Sequence, residues 1–296
     1  MQKPAKKSNK AKRCKTLRPR SKFWLFLLPS LIGMAVFYFI PAGISLFYAF
    51  TNAKGDFVWL ANFADLLTNT VFRLALRNSL MFIAASVPLN MIISFLLAQL
   101  LQNLRYKKAL AVAFMLPLII PSSSVVFFWN VLFADNGAIN SILLQNNIPT
   151  IPWFSTDWAF TIILMVFLFK NIGFNLVLFM AGFQLIPKDY YEAAKVEGAG
   201  VFAALRHVTF IYILPTTFIV FMMSIINSFR IFREIYLLYG QYPHQSVYML
   251  QHFMNNQFIA ADLQRLSVTA TILSVGIVVL VWGVFSGQKK ISDTFS

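Results

Sequence analysis

Six stretches of mainly apolar residues recur along this chain of 296 amino acids, near 23–50, 77–101, 109–134, 158–182, 211–239 and 266–286. A helix rises 1.5 Å per residue, so about 20 such residues cross the roughly 30 Å of hydrocarbon in a bilayer. Lipid offers no water to satisfy backbone N–H and C=O groups, which makes a helix the natural form of each stretch. Composition points the same way: 58% of residues are hydrophobic and only 12% charged, and mean hydropathy is +0.68. A soluble domain carries roughly 25% charged residues, so a water-soluble globule is excluded. The single cysteine, Cys14, excludes a disulfide scaffold. The sequence therefore predicts an all-α polytopic membrane protein with six transmembrane helices over 23–286. The first stretch outruns the 7 to 15 residues of a signal-peptide core and has no clear cleavage site, so it reads as a retained span.

The net charge of +15 is unevenly placed. Ten of the 25 basic residues lie within 1–22, with no acid among them. This reads as a basic cytoplasmic tail touching anionic lipid heads rather than as a nucleic-acid arm. Lys and Arg concentrate in loops that stay in the cytoplasm. With the N-terminus inside, 18 basic residues fall on the inner side, and only Lys54, Arg73 and Arg265 fall outside. Both termini are then cytoplasmic, with a second short tail at 287–296. The segment 135–157, with Asn-Gly, two Ile-Pro pairs, Trp153 and Phe154, and Trp158 directly after it, reads as an outer loop returning to the interface.

The inner connection at 183–210 is longer than a turn requires. Pro187 stands early and Asp189 in the first turn of a predicted helix, Gly198 interrupts it, and Val201, Phe202, Leu205 and Val208 form a second apolar stripe before Pro215. Pattern alone leaves two readings: an amphipathic helix lying on the lipid surface, or a helix docked on another protein.

The order of residues in that connection is distinctive. Ile186-Pro187, then Glu192-Ala193-Ala194, then Gly198-Ala199, with Pro215 sixteen residues beyond, resembles the EAA loop of ABC import permeases. Glu197 stands where that family usually has Asp before the Gly-Ala pair, and Ile211 where it often has a further proline. Resemblance to the carbohydrate-uptake permeases of the maltose, lactose and glycerol-phosphate type covers most of the chain. It includes Phe26-Leu27-Leu28-Pro29, Phe39-Ile40-Pro41, Asn62-Phe63, Arg77-Asn78-Ser79, Met115-Leu116-Pro117 with Pro121, and Ala181-Gly182-Phe183-Gln184. At the fifth outer connection the usual Gly-Gly-Pro is replaced by Gly240-Gln241-Tyr242-Pro243. The resemblance implies the type I ABC importer permease fold and makes 183–210 a coupling loop. Glu192, Ala193, Ala194, Gly198, Ala199 and Phe202 are then the residues that meet the ATPase.

Ionisable groups inside spans are costly unless paired or hydrated. Lys170 sits mid-way along the fourth stretch with Asn171 and Asn175 close by, and Asn227, Arg230, Arg233 and Glu234 occupy the outer half of the fifth. One reading places Arg233 and Glu234 at the outer interface, lets Arg230 snorkel, and uses the asparagines for helix-to-helix hydrogen bonds. The other follows the resemblance: Lys170, Asn171, Phe174, Asn227 and Arg230 match positions that line the sugar site of maltose-type permeases. Lys170 and Arg230 are not typical sugar-stacking residues, which leaves an anionic or larger substrate open, as well as a structural pairing with a partner subunit.

No catalytic or metal-binding arrangement stands out. His207, His244 and His252 have no metal-ligand spacing, and the chain holds no Gly-x-x-x-x-Gly-Lys-Ser/Thr loop for ATP. The resemblance implies a permease subunit of a bacterial inner-membrane importer, not itself an enzyme, without a cofactor of its own. Its implied partners are a homologous permease, two ATPase subunits that bind ATP, an extracytoplasmic solute-binding protein, the lipid bilayer and a sugar substrate, with no nucleic acid. The alternative is a secondary transporter or channel without ATPase partners.

Overall fold

The computed structural model describes residues 20–295, with side chains described over 26–287. Cys14 and the basic tail as far as Pro19 lie outside the described residues. Most of the rest is helical, and no strand beyond an isolated bridge between Thr51 and Phe57 occurs among the described residues. Five helices are each long and apolar enough to cross a membrane: Phe26–Phe50, Thr70–Leu101, Trp158–Gln184, Val201–Tyr239 and Leu263–Gly287. We number them first, second, fourth, fifth and sixth spans, because a broken third span, opening with Lys107–Ile119, lies between the second and fourth.

That third span departs from the single helix expected over 109–134. Lys107–Ile119 and the helical segment opening at Ser122 stand 92° apart. The cause is Pro121. The residue before a proline is pushed out of the helical region, and Ile120 is extended at φ −66°, ψ 132°. Proline also marks the first span, where a π-helical turn over Ala35–Phe39 precedes Pro41. The Pro41 ring crowds the carbonyl four residues back, at Phe37, and the wider turn accommodates it.

Boundaries differ elsewhere for equally local reasons. The second helix starts at Thr70 instead of 77, because the Asn69 side chain accepts the Phe72 N–H at 3.0 Å and caps it there. Helix begins at Val201 and runs with a π turn at Leu205–Thr209 up to Arg230, so the fifth span has no sharp start near 211. Segment 135–157 is not simply irregular. It holds an Ala138–Gln145 helix, and Asn140 gathers it by donating to the Ala134, Asp135 and Ile151 carbonyls while accepting from Trp153 Nε1. Helix also continues from the sixth span to Phe295, through the short tail expected at 287–296.

The fourth span is the hub, packing against the second, the first half of the third and the fifth, while the sixth packs on the first. Its burial is the deepest of the five, and the first span is largely open, with Ala49 buried near its end. Polar contacts tie the hub in place: Ser94 Oγ donates to the Ile172 carbonyl at 3.1 Å, and Asn175 Nδ2 to Ser224 Oγ at 2.7 Å. Such interhelical bonds contribute about 0.6–2 kcal/mol each in a membrane. Gly173 lets the third span approach closest, since a Cβ there would lie 1.8 Å from the Phe114 carbonyl oxygen. Backbone cannot step aside as a side chain can. Gly173→Ala is therefore expected to destabilise the protein by at least about 1–3 kcal/mol, read as a lower thermal midpoint in detergent; an unchanged midpoint would contradict this packing.

Candidate functional site

Two features stand out, one within the span bundle and one at its end. The first begins with Lys170 on the fourth span. Its Nζ contacts Glu234 Oε1 directly and donates to Ser122 Oγ at 3.1 Å, while Ser122 donates to the same Glu234 oxygen at 2.8 Å. Three spans meet in this triad, and breaks in two of them aim its members. Ser122 is the first helical residue after the Pro121 break, and Glu234 follows the interruption between the Phe210–Arg230 and Phe232–Tyr239 helices. Glu234 is 4% exposed. A carboxylate so placed must be paired and hydrogen-bonded, and here it is both.

The triad forms one side of a cavity of about 250 Å³ lined by Leu118, Phe167, Lys170, Asn171, Asn227, Arg230, Ile231, Arg233 and Glu234. Four of the five residues singled out for the substrate path, Lys170, Asn171, Asn227 and Arg230, thus share one cavity. Phe174 is not among its lining residues. Arg230 Nη1 reaches Asn227 Oδ1 at 3.5 Å, as expected of neighbours three apart on one helical face. Of the two residues read together at the end of the fifth stretch, Glu234 is buried in the ion pair, and Arg233 is exposed and lines the cavity. Ser122 escaped notice because a hydroxyl inside an apolar run carries no signal until the break at Pro121 turns it inward. Glu234, an acid four residues from Arg230 in the same run, carries a local signal, but its pairing with Lys170 does not. The fifth span, at 39 residues, is longer than one bilayer crossing needs.

The second feature is the Lys188–Val196 helix and the turn that ends it. Gly198 has φ +80°. Its N–H donates to the Lys195 carbonyl at 3.1 Å, and the Ala199 N–H reaches back to the Ala194 carbonyl at 2.9 Å. This is a Schellman closure, in which the residue after the cap must be left-handed and is best a glycine. The interval from Ala194 to Gly198-Ala199 therefore has a geometric reason. Asp189 in the first turn and Lys195 in the last suit the helix dipole.

One face of this helix is fixed to the bundle. Tyr191 and Ala194 pack on a core that includes Ala98, Leu101, Phe183 and Val208. Tyr191 Oη lies 3.0 Å from Thr209 Oγ1, and the Tyr190 and Tyr212 rings stand 4.6 Å apart. Away from that face the helix is bare at Glu192 and at Val196, which is 89% exposed, and beyond its closing turn Val201 is 89% and Phe202 77% exposed. Of the six residues singled out here, Glu192, Ala193, Gly198 and Phe202 are exposed, while Ala194 and Ala199 are half-buried.

His252, outside both features, lies in the connection between the fifth and sixth spans. Its Nδ1 accepts the Met249 N–H, and burial holds its pKa down to about 4, so it is neutral near pH 7.

A bundle of apolar helices with a polar, ion-paired cavity between them and a rigidly held helix at one end defines a membrane permease subunit. The chain belongs to the family described as binding-protein-dependent transport system inner membrane component, which matches residues 91–288. It is 27% identical over 289 residues to the probable starch degradation products transport system permease protein AmyD of Thermoanaerobacterium thermosulfurigenes, covering 95% of this chain and 98% of that one. It is also 27% identical over 221 residues to the lactose transport system permease protein LacF of Rhizobium radiobacter, covering 72% of this chain and 74% of that one. Among solved structures, a bacterial alginate ABC transporter, crystallised in complex with an alginate pentasaccharide-bound periplasmic protein, has a chain with TM-score 0.80 at 20% identity. The match covers 92% of this chain and 96% of that one.

Proposed function

We propose that this chain is one of two permease subunits of an ATP-driven importer, forming half of the transmembrane pathway for a sugar or oligosaccharide that an extracytoplasmic binding protein delivers. The observation that carries this reading is the Lys188–Val196 helix, anchored on one face by Tyr191 and Ala194 and bare at Val196, with Val201 and Phe202 exposed just beyond the turn that ends it. Exposed apolar residues beside a rigid helix need a partner. A cleft in an ATPase subunit supplies one, with Glu192, Ala193, Ala194, Gly198, Ala199 and Phe202 at the contact. A gradient-driven carrier or channel would leave this surface to rest on lipid. The substrates named for the relatives, starch degradation products and lactose, support a sugar as cargo.

The work divides along the chain. Closure of two ATPase subunits on ATP displaces the docked helix, and its anchors to Thr209 and the inner core pass that displacement to the fourth and fifth spans. The cavity at Lys170, Asn171, Asn227 and Arg230 then opens alternately to each side. Such coupling requires only that ATP favour one of two packed arrangements. ATP is bound by the partner subunits, and this chain holds no cofactor. In this reading the loop end and both termini face the cytoplasm.

Affinity purification of the full chain from its native membrane in mild detergent, with mass spectrometry of what accompanies it, tests the proposal. The expected companions are a homologous permease and an ATPase. A homo-oligomer free of any nucleotide-binding protein would contradict it.

A further inference from the structure

The charges around the cavity do not balance. Glu234 is the only carboxylate lining it, and Lys170 already pairs with that group. Arg230 and Arg233 line the same space, and neither has a carboxylate partner among the described residues. Two guanidinium groups, both exposed in this chain, thus open onto the cavity without a carboxylate of their own. They flank the interruption at Ile231 and line the same cavity, so both can face one ligand. A neutral sugar offers hydroxyls but no charge to offset them. A carboxylate matches the planar fork of an arginine with two parallel hydrogen bonds, and such charge-assisted bonds are about twice as strong as neutral ones. The remaining wall suits a sugar chain: Asn171 and Asn227 carry amides for hydroxyl groups, and Leu118 and Ile231 offer apolar surface to ring C–H faces.

We propose that this cavity binds an acidic saccharide, a short chain of uronic acid units whose carboxylates are held by Arg230 and Arg233. The inference rests on the cavity being the substrate path of an importer. It adds the chemical class of the substrate and assigns Arg233 to the site with Arg230.

The test uses the intact importer in vesicles, with ATP and its own binding protein. The probes are trisaccharides of mannuronate, galacturonate and glucuronate, the same trisaccharides after reduction of their carboxyl groups, and a phosphorylated trisaccharide. The binding protein's preference is common to all variants, so a change between variants reports on this cavity. The expected result is ATP-dependent uptake of at least one uronate trisaccharide over its reduced form. In the Arg230→Gln, Arg233→Gln double variant its KM should rise at least about tenfold, and Arg230→Lys alone should lose less, since charge is kept while the fork is lost. Recovery of the second permease with the double variant checks assembly.

Several results would overturn the proposal: uptake of reduced or phosphorylated probes in preference to uronates, an unchanged KM in the double variant, or loss of the second permease from the double variant. The last would assign both arginines to the interface between permeases. ATP-dependent uptake of neutral sugars alone would remove the acidic substrate while leaving the importer reading intact. Uptake of every probe independent of ATP would remove the importer reading itself.

Discussion

Gly198→Val and Glu192→Lys are each expected to uncouple ATP hydrolysis from uptake while leaving the span bundle assembled. Gly198 sits at φ +80°, and nothing lies within 4 Å of where its Cβ would be. Valine there meets no steric block from neighbours, and the cost is conformational. A left-handed backbone is unfavourable for any residue with a Cβ by roughly 1–2 kcal/mol and worse for a β-branched one. The Schellman closure should open, and the orientation of Lys188–Val196 relative to Val201 and Phe202 should be lost. Glu192→Lys acts differently, reversing charge on the exposed face and leaving the turn intact. Uptake per ATP hydrolysed, measured in vesicles holding the importer, should fall by about tenfold or more, since each 1.36 kcal/mol is a factor of ten. A wild-type ratio in both variants would remove the coupling role from this helix.

The second large effect is expected at the triad. Lys170→Met removes the partner of a carboxylate that is 4% exposed, leaving only the Ser122 hydroxyl beside it. Stranding a buried charge costs about 3–5 kcal/mol, enough to lower the yield of folded protein sharply. Lys170→Met combined with Glu234→Gln should recover most of that loss, because no charge then stays buried. The comparison is made on thermal unfolding of the purified chain with its partners. Equal midpoints for the single variant and wild type would mean that water or another group already neutralises Glu234.

How far these features could be read from residues alone depends on whether their cause is local. The spans were legible because apolar runs of membrane length have few alternatives, and the Lys188–Val196 helix because Pro187, Asp189 and Gly198 each act within a turn. The break of the third span was also local, written in Pro121, but a proline inside an apolar run tells only that helix geometry fails, not that the chain turns by 92°. The ion pair was not legible. Lys170 and Glu234 are 64 residues apart, and their meeting depends on how the third, fourth and fifth spans pack, which no local pattern records. For the same reason Asn171, Asn227 and Arg230 could be singled out, while Ser122 and Arg233 became part of the cavity only in three dimensions.

The docking of the Lys188–Val196 helix and its adjoining turn on an ATPase can be measured directly by placing a photoreactive benzoylphenylalanine at Phe202, which is 77% exposed, and irradiating native membranes. The same residue placed at Phe127, 71% exposed on the third span, serves as a control. The account predicts that Phe202 yields a covalent adduct with a nucleotide-binding subunit and that Phe127 does not. Adducts with lipid alone at Phe202 would contradict it and make this segment an interfacial helix resting on the membrane.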